Sequence, residues 1–453
     1  MRNDELAPPP RARWNKGAIL AVVVIVAVLV GGWMLGRLTR DVQTAAPRML
    51  GGLWTAPAGG TARVYYAMEE ERAEQGYFDS DMLHSYRLPY SIFTLHARNA
   101  RDGGSPTVTT LGRRDQGVAK DYKVTIHLVE PPEILGPQGN LLWIWMDSLT
   151  ARDLGTLAPV WTAEKIKALN PELGKLMPKE HKYYKVLGGL NALVFKGADA
   201  RFFQIDPGTG AIQPVDEARL AAMSKEYTKT ADSAFSSLDP ESNSLWSTSE
   251  SGLMWDSLID EAAGKWYGLL TANERAPEYW KNPRYGFGPS GEVSRALFQA
   301  NCTIEPSKTT VEPNVRLDPA SVSPLGTERF LMGGFLRRPN VDSVWFVGDS
   351  GGNAGSQPAD GRSCVVLHRK MLGADSPWQL TRVGLDGKVH WTRSTGLADL
   401  EHLSDGSGAI VFSGFADHSQ PTNSRPDLLV FVDEKTGKVQ RLNLVSDEMA
   451  AIE

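Results

Sequence analysis

Cysteine is almost absent from this 453-residue chain: Cys302 and Cys364 are the whole thiol inventory. No Cys-x-x-Cys pair exists, which removes a thioredoxin-like redox motif and a zinc knuckle. The eight histidines, His84, His96, His127, His181, His368, His390, His402 and His418, show no His-x-His or His-x-x-x-His spacing. No metal site is expected from them, and no cofactor is assigned. A basic tract is missing too. The first sixteen residues hold four of the 48 Lys and Arg and two of the 53 Asp and Glu, so the part beyond residue 36 carries 44 against 51, a net charge of −7. Nothing there could neutralise a phosphate backbone, which speaks against nucleic acid as a partner. An acidic head as a whole also gains nothing from an anionic membrane surface.

Long apolar runs are equally scarce, with one exception. Gly17 to Gly36 is uncharged and mostly aliphatic, bracketed by Arg11, Arg13 and Lys16 before and Arg37 and Arg40 after. As a helix this length covers about 30 Å, the thickness of a bilayer core. We expect a cytoplasmic tail over 1–16, a transmembrane helix over 17–36, a tether over 37–60 and an exported domain over 61–453. The competing reading is a cleaved secretory signal. The core is long for one, and Ala45 and Ala46 lie far downstream for a cleavage site. In an exported domain two cysteines read as one disulfide, Cys302–Cys364, stabilising by about 4 kcal/mol in the chain-entropy model.

Beyond residue 61 short runs rich in β-branched and aromatic residues alternate with turn residues. Ala62–Ala67, Ser91–His96, Tyr122–Leu128, Leu141–Trp145, Ala192–Phe195, Arg201–Ile205, Ser343–Val347, Cys364–His368, Ala409–Phe412 and Leu428–Val432 are expected strands. The fold class is therefore mainly β. Residues 216–262 break the pattern: Glu217–Met223 and Leu253–Ala263 have helical composition around a Ser-rich stretch, which suggests a partly helical insertion. Tyr279, Trp280, Tyr285 and Phe287 sit in loop-forming sequence and are a possible binding lip. Trp143 and Trp145 share one strand face, expected to be core. The acidic run Glu69–Glu71 is expected to be a solvated loop.

A weak repeat overlies these strands. Phe203-Gln-Ile-Asp206-Pro-Gly-Thr-Gly210-Ala-Ile212 parallels Phe431-Val-Asp433-Glu-Lys-Thr436-Gly437-Lys-Val439, and Val383-Gly-Leu-Asp386-Gly387-Lys-Val389-His-Trp391 is a shorter relative. Each joins two strands through a turn in which Asp accepts backbone N–H bonds and Gly takes a positive φ. These units resemble the blades of bacterial quinoprotein-like β-propellers, whose repeats run apolar-x-Asp-x-x-Thr-Gly-x-apolar-x-Trp. The resemblance implies a β-propeller-like head. It also implies a setting in the periplasm of a Gram-negative-type envelope, anchored in the inner membrane by one span.

Two resemblances to enzymes do not extend beyond short strings. Gly348-Asp-Ser350-Gly-Gly352 resembles the nucleophile loop of trypsin-like serine proteases, where glycines admit an oxyanion hole. Asn353 stands where that family has Pro, and no sequence nominates a base, so Ser350 is a weak catalytic candidate. Quinone-dependent dehydrogenases often stack adjacent cysteines on their cofactor, and this chain has no such pair. The expected function is a membrane-anchored periplasmic scaffold or binding module, with an envelope protein or small ligand as partner. The alternative is a hydrolase or oxidoreductase with its site at the propeller channel.

Overall fold

The computed structural model describes residues 41–77, 85–120, 123–127, 130–187, 192–216, 254–255, 257–260, 263–271, 294–305, 314–339, 344–347, 362–373, 375–417 and 426–452. The apolar segment 17–36 lies outside them. Among the described residues no helix is long and apolar enough to cross a membrane.

The chain is mainly β. Strands β1 (Asp41–Gln43), β2 (Arg48–Ala58), β3 (Thr61–Tyr77), β4 (Ser85–Asn99) and β5 (Thr107–Asp115) form one antiparallel sheet in the order β1-β3-β4-β5, with β2 also pairing β3. A separate hairpin follows, β6 (Gly117–Lys120) with β7 (Lys123–Ile126). Next come two four-stranded meanders. One is β8 (Glu133–Gln138), β9 (Leu141–Met146), β10 (Ser148–Asp153) and β11 (Pro159–Thr162). The other is β12 (Tyr184–Leu187), β13 (Ala192–Lys196), β14 (Phe202–Ile205) and β15 (Ile212–Pro214).

A ten-stranded sheet contains β16 (Met254–Trp255), β17 (Ser257–Asp260), β18 (Lys265–Leu270), β19 (Ser294–Glu305), β20 (Asn314–Leu317), β21 (Ser323–Pro324) and β22 (Phe330–Leu336). It continues with β23 (Ser363–Arg369), β24 (Trp378–Gly384) and β25 (Val389–Ser394). The last sheet is β26 (Asp399–Asp405), β27 (Ala409–Phe415), β28 (Leu428–Asp433), β29 (Val439–Asn443) and β30 (Glu448–Ile452), in that order.

The chain divides into two compact units. The smaller comprises residues 1–46, 70–92 and 113–129, and the larger 47–69, 93–112 and 130–453. The expected single domain over 61–453 is thus two units, and β3, β4 and β5 contribute residues to both.

In the larger unit, burial explains the sequence pattern. β23 and β27 are buried at every position, as are the first five residues of β9 and of β28, whereas β10 alternates and β30 is largely exposed. A strand covered on both faces needs a continuous apolar run; one covered on a single face needs alternation. The covering layers are neighbouring sheets. Trp143, Trp145 and Leu149 pack with Tyr184, Leu193, Phe195 and Phe203, joining the β8–β11 and β12–β15 sheets. Leu336, Val365, Trp378 and Trp391 pack with Ile410, Phe412 and Val430, joining β22–β25 to β26–β29. The first sheet closes on the last: Met49, Val64 and Tyr66 share a core with Val411, Leu429 and Phe431. Successive antiparallel sheets stacked face to face, the first against the last, are a β-propeller-like arrangement.

The repeated turns hold these layers together. Asp206 Oδ1 accepts from Gly208 N (3.0 Å), Thr209 N (2.7 Å) and Thr209 Oγ1 (2.8 Å). Asp433 Oδ1 accepts from Lys435 N (3.1 Å), Thr436 N (2.8 Å) and Thr436 Oγ1 (2.8 Å). A third copy, unrecognised in the sequence, is Asp153 with Gly155 N (3.0 Å), Thr156 N (2.8 Å) and Thr156 Oγ1 (2.9 Å). It ends in Leu157 at φ 59°, where the others have Gly210 (68°) and Gly437 (71°). Each turn is gripped by the preceding sheet. Trp161 Nε1 donates to Pro207 O at 2.9 Å, and Tyr65 Oη donates to Leu154 O at 2.9 Å. Trp391 packs on Gly437, where an added Cβ would stand 2.7 Å from the indole.

Several expectations need correction. Residues 48–58 of the expected tether are strand β2, buried at Met49, Leu50 and Leu53. Leu253–Ala263 is not helical where described: β16 and β17 occupy it. The α-helix found among the described residues is α1 (Ala163–Leu169), capped by Thr162 accepting from Lys165 N. Glu69–Glu71 is part of β3, and Glu69 is buried and bonded to Arg48 at 2.9 Å.

The two cysteines are free, so the expected Cys302–Cys364 disulfide is absent. Only Ser294 and Arg295 of β19 pair with β22. Beyond them β19 pairs β18, β20 and β21, and Cys302 faces Leu317, while Cys364 pairs with Val383 two strands further along.

Candidate functional site

In the larger unit β26 packs beside β2, β2 beside β8, and β8 beside β12. Side by side, these strands of four sheets form a rim. Three of them, and β22, break register. The shift falls between Leu50 and Trp54 in β2, Ile134 and Gly136 in β8, Leu331 and Gly334 in β22, and Leu400 and His402 in β26. A bulge leaves a residue unpaired and re-aims its neighbours. Gly136 shows why glycine is used here: its φ is 132°, and a Cβ would stand 3.1 Å from the Trp54 ring and 3.2 Å from Val186. β22 instead places Met332 at φ 51° with 41 % of its surface exposed, a backbone state costly for a branchless but bulky side chain. Arg295 donates to the bulge carbonyl of Gly333 at 3.0 Å.

Titratable groups gather on these strands. Glu401 is the extra residue of the β26 bulge. Burial, then the neighbouring Asp399 carboxylate, pushes its pKa up. Next to it, burial drives His402 down to about 4, so the imidazole is neutral. His402 Nδ1 bonds Ser413 Oγ at 2.9 Å, and its ring edge lies 3.7 Å from the Cβ position of Gly52 on β2. Ser404 Oγ reaches Thr55 Oγ1 at 3.0 Å, tying β26 to β2 again. Across on β12, burial lowers the Lys185 pKa while Glu133 on β8 raises it, and Glu133 also pairs with His181. Arg338 pairs with Asp405 at 2.7 Å and stands over the Trp345 ring at 5.3 Å. Trp345 Nε1 donates to the buried Glu434 at 3.1 Å.

Chemically, the rim offers a carboxyl at Glu401 whose pKa burial raises and a partly desolvated ammonium at Lys185. Both suit recognition of a polar ligand by hydrogen bonds in a low-dielectric setting. His402 and Ser413 are not a nucleophile–base pair open to substrate, because Ser413 is fully buried.

The sequence-derived candidates are not brought together here. Ser350, Tyr279, Trp280, Tyr285 and Phe287 lie outside the described residues. Cys364 is fully buried in β23, where desolvation pushes its thiol up to about 12, while Cys302 is half-buried with a pKa also raised by burial. Trp143 and Trp145 are core, as expected. The residues missed were those at the bulges. Gly51-Gly52 and Gly333-Gly334 interrupt apolar runs, the sequence sign of a bulge or close backbone approach.

No family model matches this chain, and no curated protein sequence matches it. Among solved structures, the crystal structure of oligogalacturonate lyase from Vibrio parahaemolyticus is similar over 82 % of this chain and 85 % of that one, with 11 % identity and a TM-score of 0.23. The propeller-like assignment rests on the sheets themselves.

Proposed function

We propose that this chain is a binding module held at the periplasmic face of an inner membrane by residues 17–36, presenting the rim of its propeller-like head to a partner. The observation that carries the reading is the row of bulged strands β2, β8 and β26, with Glu401, Lys185 and Glu133 on them or on adjacent β12. Rigid sheets that hold irregular, charged backbone at one rim are suited to recognition. The anchor is tested by alkaline carbonate extraction and by fusing alkaline phosphatase to the C-terminus. Retention in the membrane and an active fusion are expected; a soluble full-length chain or an inactive fusion refutes the placement. The rim is tested by capture from native membranes. Partners retained by the wild type are expected to be lost from the Glu401→Gln, Lys185→Met double variant, and undiminished capture refutes the rim.

A further inference from the structure

Results

Sequence analysis

Cysteine is almost absent from this 453-residue chain: Cys302 and Cys364 are the whole thiol inventory. No Cys-x-x-Cys pair exists, which removes a thioredoxin-like redox motif and a zinc knuckle. The eight histidines, His84, His96, His127, His181, His368, His390, His402 and His418, show no His-x-His or His-x-x-x-His spacing. No metal site is expected from them, and no cofactor is assigned. A basic tract is missing too. The first sixteen residues hold four of the 48 Lys and Arg and two of the 53 Asp and Glu, so the part beyond residue 36 carries 44 against 51, a net charge of −7. Nothing there could neutralise a phosphate backbone, which speaks against nucleic acid as a partner. An acidic head, taken as a whole, also gains nothing from an anionic membrane surface.

Long apolar runs are equally scarce, with one exception. Gly17 to Gly36 is uncharged and mostly aliphatic, bracketed by Arg11, Arg13 and Lys16 before and Arg37 and Arg40 after. As a helix this length covers about 30 Å, the thickness of a bilayer core. We expect a cytoplasmic tail over 1–16, a transmembrane helix over 17–36, a tether over 37–60 and an exported domain over 61–453. The competing reading is a cleaved secretory signal. The apolar core is long for one, and Ala45 and Ala46 lie far downstream for a cleavage site. In an exported domain two cysteines read as one disulfide, Cys302–Cys364, stabilising by about 4 kcal/mol in the chain-entropy model.

Beyond residue 61, short runs rich in β-branched and aromatic residues alternate with turn residues. Ala62–Ala67, Ser91–His96, Tyr122–Leu128, Leu141–Trp145, Ala192–Phe195, Arg201–Ile205, Ser343–Val347, Cys364–His368, Ala409–Phe412 and Leu428–Val432 are expected strands. The fold class is therefore mainly β. Residues 216–262 break the pattern. Glu217–Met223 and Leu253–Ala263 have helical composition around a Ser-rich stretch, which suggests a partly helical insertion. Tyr279, Trp280, Tyr285 and Phe287 sit in loop-forming sequence and are a possible binding lip. Trp143 and Trp145 share one strand face, expected to be core. The acidic run Glu69–Glu71 is expected to be a solvated loop.

A weak repeat overlies these strands. Phe203-Gln-Ile-Asp206-Pro-Gly-Thr-Gly210-Ala-Ile212 parallels Phe431-Val-Asp433-Glu-Lys-Thr436-Gly437-Lys-Val439, and Val383-Gly-Leu-Asp386-Gly387-Lys-Val389-His-Trp391 is a shorter relative. Each joins two strands through a turn in which Asp accepts backbone N–H bonds and Gly takes a positive φ. These units resemble the blades of bacterial quinoprotein-like β-propellers, whose repeats run apolar-x-Asp-x-x-Thr-Gly-x-apolar-x-Trp. The resemblance implies a β-propeller-like head. It also implies a setting in the periplasm of a Gram-negative-type envelope, with one span anchoring the head to the inner membrane.

Two resemblances to enzymes do not extend beyond short strings. Gly348-Asp-Ser350-Gly-Gly352 resembles the nucleophile loop of trypsin-like serine proteases, where glycines admit an oxyanion hole. Asn353 stands where that family has Pro, and no sequence nominates a base, so Ser350 is a weak catalytic candidate. Quinone-dependent dehydrogenases often stack adjacent cysteines on their cofactor, and this chain has no such pair. The expected function is a membrane-anchored periplasmic scaffold or binding module, with an envelope protein or small ligand as partner. The alternative is a hydrolase or oxidoreductase with its site at the propeller channel.

Overall fold

The computed structural model describes residues 41–77, 85–120, 123–127, 130–187, 192–216, 254–255, 257–260, 263–271, 294–305, 314–339, 344–347, 362–373, 375–417 and 426–452. The apolar segment 17–36 lies outside them. Among the described residues no helix is long and apolar enough to cross a membrane.

The chain is mainly β. Strands β1 (Asp41–Gln43), β2 (Arg48–Ala58), β3 (Thr61–Tyr77), β4 (Ser85–Asn99) and β5 (Thr107–Asp115) form one sheet in the order β1-β3-β4-β5, with β2 also pairing β3. A separate hairpin follows, β6 (Gly117–Lys120) with β7 (Lys123–Ile126). Next come two four-stranded meanders. One is β8 (Glu133–Gln138), β9 (Leu141–Met146), β10 (Ser148–Asp153) and β11 (Pro159–Thr162). The other is β12 (Tyr184–Leu187), β13 (Ala192–Lys196), β14 (Phe202–Ile205) and β15 (Ile212–Pro214).

A ten-stranded sheet contains β16 (Met254–Trp255), β17 (Ser257–Asp260), β18 (Lys265–Leu270), β19 (Ser294–Glu305), β20 (Asn314–Leu317), β21 (Ser323–Pro324) and β22 (Phe330–Leu336). It continues with β23 (Ser363–Arg369), β24 (Trp378–Gly384) and β25 (Val389–Ser394). The last sheet is β26 (Asp399–Asp405), β27 (Ala409–Phe415), β28 (Leu428–Asp433), β29 (Val439–Asn443) and β30 (Glu448–Ile452), in that order.

Two compact units make up the chain. The smaller comprises residues 1–46, 70–92 and 113–129, and the larger 47–69, 93–112 and 130–453. The expected single domain over 61–453 is thus divided, and β3, β4 and β5 contribute residues to both units.

In the larger unit, burial explains the sequence pattern. β23 and β27 are buried at every position, as are the first five residues of β9 and of β28, whereas β10 alternates and β30 is largely exposed. A strand covered on both faces needs a continuous apolar run; one covered on a single face needs alternation. The covering layers are neighbouring sheets. Trp143, Trp145 and Leu149 pack with Tyr184, Leu193, Phe195 and Phe203, joining the β8–β11 and β12–β15 sheets. Leu336, Val365, Trp378 and Trp391 pack with Ile410, Phe412 and Val430, joining β22–β25 to β26–β29. The first sheet closes on the last: Met49, Val64 and Tyr66 share a core with Val411, Leu429 and Phe431. Successive antiparallel sheets stacked face to face, the first against the last, are a β-propeller-like arrangement.

The repeated turns help hold these layers together. Asp206 Oδ1 accepts from Gly208 N (3.0 Å), Thr209 N (2.7 Å) and Thr209 Oγ1 (2.8 Å). Asp433 Oδ1 accepts from Lys435 N (3.1 Å), Thr436 N (2.8 Å) and Thr436 Oγ1 (2.8 Å). A third copy, unrecognised in the sequence, is Asp153 with Gly155 N (3.0 Å), Thr156 N (2.8 Å) and Thr156 Oγ1 (2.9 Å). It ends in Leu157 at φ 59°, where the others have Gly210 (68°) and Gly437 (71°). Each turn is gripped by the preceding sheet. Trp161 Nε1 donates to Pro207 O at 2.9 Å, and Tyr65 Oη donates to Leu154 O at 2.9 Å. Trp391 packs on Gly437, where an added Cβ would stand 2.7 Å from the indole.

Several expectations need correction. Residues 48–58 of the expected tether are strand β2, buried at Met49, Leu50 and Leu53. Leu253–Ala263 is not helical where described: β16 and β17 occupy it. The α-helix found among the described residues is α1 (Ala163–Leu169), capped by Thr162 accepting from Lys165 N. Glu69–Glu71 is part of β3, and Glu69 is buried and bonded to Arg48 at 2.9 Å. The two cysteines are free, so the expected Cys302–Cys364 disulfide is absent. Only Ser294 and Arg295 of β19 pair with β22. Further along, β19 pairs β18, β20 and β21, with Cys302 opposite Leu317. Cys364 sits on β23, on the far side of β22 in the sheet order, opposite Val383.

Candidate functional site

In the larger unit β26 packs beside β2, β2 beside β8, and β8 beside β12. Side by side, these strands of four sheets form a rim. Three of them, and also β22, break register. The shift falls between Leu50 and Trp54 in β2, Ile134 and Gly136 in β8, Leu331 and Gly334 in β22, and Leu400 and His402 in β26. A bulge leaves a residue unpaired and re-aims its neighbours. Gly136 shows why glycine is used here: its φ is 132°, and a Cβ would stand 3.1 Å from the Trp54 ring and 3.2 Å from Val186. β22 instead places Met332 at φ 51° with 41 % of its surface exposed, a backbone state costly for any residue with a Cβ. Arg295 donates to the bulge carbonyl of Gly333 at 3.0 Å.

Titratable groups gather on these strands. Glu401 is the extra residue of the β26 bulge. Burial, then the neighbouring Asp399 carboxylate, pushes its pKa up. Next to it, burial drives His402 down to about 4, so the imidazole is neutral at physiological pH. His402 Nδ1 bonds Ser413 Oγ at 2.9 Å, and its ring lies 3.7 Å from the Cβ position of Gly52 on β2. Ser404 Oγ reaches Thr55 Oγ1 at 3.0 Å, tying β26 to β2 again. On β12, burial lowers the Lys185 pKa while Glu133 on β8 opposes the shift, and Glu133 also pairs with His181. Arg338 pairs with Asp405 at 2.7 Å and stands over the Trp345 ring at 5.3 Å. Trp345 Nε1 donates to the buried Glu434 at 3.1 Å.

Chemically, the rim offers a carboxyl at Glu401 whose pKa burial raises and a partly desolvated ammonium at Lys185. Both suit recognition of a polar ligand by hydrogen bonds in a low-dielectric setting. His402 and Ser413 are not a nucleophile–base pair open to substrate, because Ser413 is fully buried.

The sequence-derived candidates are not brought together here. Ser350, Tyr279, Trp280, Tyr285 and Phe287 lie outside the described residues. Cys364 is fully buried in β23, where desolvation pushes its thiol up to about 12; Cys302 is half-buried, with a pKa also raised first by burial. Trp143 and Trp145 are core, as expected. The residues missed were those at the bulges. Gly51-Gly52 and Gly333-Gly334 interrupt strand-forming sequence, the sign of a bulge or a close backbone approach.

No family model matches this chain, and no curated protein sequence matches it. Among solved structures, the crystal structure of oligogalacturonate lyase from Vibrio parahaemolyticus is similar over 82 % of this chain and 85 % of that one, with 11 % identity and a TM-score of 0.23. The propeller-like assignment rests on the sheets themselves.

Proposed function

We propose that this chain is a binding module held at the periplasmic face of an inner membrane by residues 17–36, presenting the rim of its propeller-like head to a partner. The observation that carries the reading is the row of bulged strands β2, β8 and β26, with Glu401, Lys185 and Glu133 on them or on adjacent β12. Rigid sheets that hold irregular, charged backbone at one rim are suited to recognition. One experiment tests both parts. The full-length chain, tagged at its C-terminus, is expected to stay in membranes through alkaline carbonate washing and to co-purify a partner from them. The Glu401→Gln, Lys185→Met double variant is expected to lose that partner. A chain found in the soluble fraction refutes the anchor, and capture undiminished by the double variant refutes the rim.

A further inference from the structure

The smaller unit carries a hairpin whose two faces differ. Register pairs Gly117 with Ile126, Val118 with Thr125, Ala119 with Val124 and Lys120 with Lys123. Directly opposed residues share a face, so Ala119, Val124 and Ile126 lie on one side with Gly117, and Val118, Lys120, Lys123 and Thr125 on the other. All four residues of β7 are exposed, as are Val118 and Lys120 of β6; Ile126 exposes 68 % of its surface and Val118 56 %. An apolar patch in water is unfavourable, and two lysines directly opposed repel each other. One environment relieves both: an apolar layer beneath a sheet of anionic phosphates.

The chain places such an environment close by. Four residues lie between Gly36 and Asp41, five steps with a reach of about 17 Å, and Asp41 opens β1. In the sheet order β1-β3-β4-β5, β5 stands three strand spacings from β1, about 14 Å. β6 starts two residues after β5 ends, and its base is fixed to β4 by Gln116 N donating to Pro89 O (2.8 Å) and Gln116 Nε2 to Ser91 Oγ (2.6 Å). Arg113 at the end of β5 bonds Glu74 on β3 at 2.9 Å and stacks over Tyr90 on β4 at 3.7 Å. The hairpin is therefore held to a sheet whose first strand begins just beyond the apolar segment.

We propose that the β6–β7 hairpin docks on the surface of an anionic bilayer, with Ile126 and Val124 entering the headgroup–acyl boundary and Lys120 and Lys123 meeting lipid phosphates. This rests on the anchor reading above and adds a second, surface contact to it. The test uses the full-length chain in nanodiscs, with Cys302→Ser to remove the accessible thiol; Cys364 is fully buried. A polarity-sensitive fluorophore is attached through Ile126→Cys or, as a control, through Met371→Cys, an apolar position of the larger unit that is 61 % exposed. In phosphatidylglycerol discs containing nitroxide lipid, the label at 126 is expected to be quenched several-fold more than the label at 371. Reversing both lysines, Lys120→Glu and Lys123→Glu, is expected to abolish that difference. Equal quenching at the two positions, or quenching at 126 that survives the reversal, overturns the inference while leaving the anchor intact. A chain that fails to enter discs at all overturns the anchor, and the inference with it.

Discussion

Replacing Gly437 with alanine isolates the role of the contact between a turn and the sheet before it. Gly437 has φ +71°, so any Cβ there costs about 1–2 kcal/mol for the left-handed backbone. The new Cβ would also stand 2.7 Å from Trp391 Cδ2 and 2.8 Å from Cγ. Both are atoms of a rigid ring that is 7 % exposed and shares a core with Val439 and Val432, so it cannot swing into solvent. Forcing it aside adds overpacking of about 1–3 kcal/mol, for a total of about 2–5 kcal/mol. Gly59 is the matched control: its φ is +59°, and nothing lies within 4 Å of its Cβ position. Gly59→Ala carries the backbone cost alone, about 1 kcal/mol. Urea denaturation of the full-length protein in detergent, followed by circular dichroism, measures both. In a Trp391→Ala background the two alanine substitutions are expected to cost the same, because the ring is gone. Equal losses in the wild-type background would refute the claim that the indole clamps the turn. So would a Gly437→Ala penalty that persists in full without Trp391.

Two further predictions follow from buried groups. Burial lowers both His96 and His402 to about 4, against 6.5 in the unfolded chain. The folded state thus excludes protons that the unfolded state takes up. Stability is full above pH 6.5, falls as the pH drops from there, and levels off below about 4; at its largest the loss is about 3 kcal/mol per histidine. His402→Gln should flatten the dependence of the urea midpoint on pH between 7 and 4, and an unchanged slope would count against a buried neutral imidazole. The cysteines should both titrate as free thiols in denatured protein isolated under acid trapping. In the native state Cys302 should react first and Cys364 only on unfolding; mass mapping that finds them joined would overturn the separation of β19 from β23.

Local features were readable without the fold. The apolar runs at Leu141–Trp145, Cys364–His368 and Leu428–Val432 became central strands because a chain buried on both faces has no need of alternation. The turns at Asp206 and Asp433 were readable because their bonds close within five residues. The same turn at Asp153 escaped notice because Leu157 occupies the left-handed position, its side chain only 1 % exposed. Burial there offsets a backbone cost that glycine would avoid. Helical composition misled at Leu253–Ala263, where sheet pairing with Leu336, Phe335 and β18 prevails over propensity.

By itself the sequence determined the β class, the Asp-turn-Gly corners, the apolar segment at 17–36 and the scarcity of thiols, all of which depend on neighbours along the chain. Tertiary structure decided what depends on neighbours across it. Whether Gly51-Gly52 is linker or bulge is set by the sheet partner that β2 finds in β3. Glu401 and His402 have shifted pKa values because neighbouring chain strips them of water, and no local pattern encodes that burial. The cysteines stay apart because β19 turns away from β22 after two residues, a divergence fixed by strand pairing and invisible in their spacing.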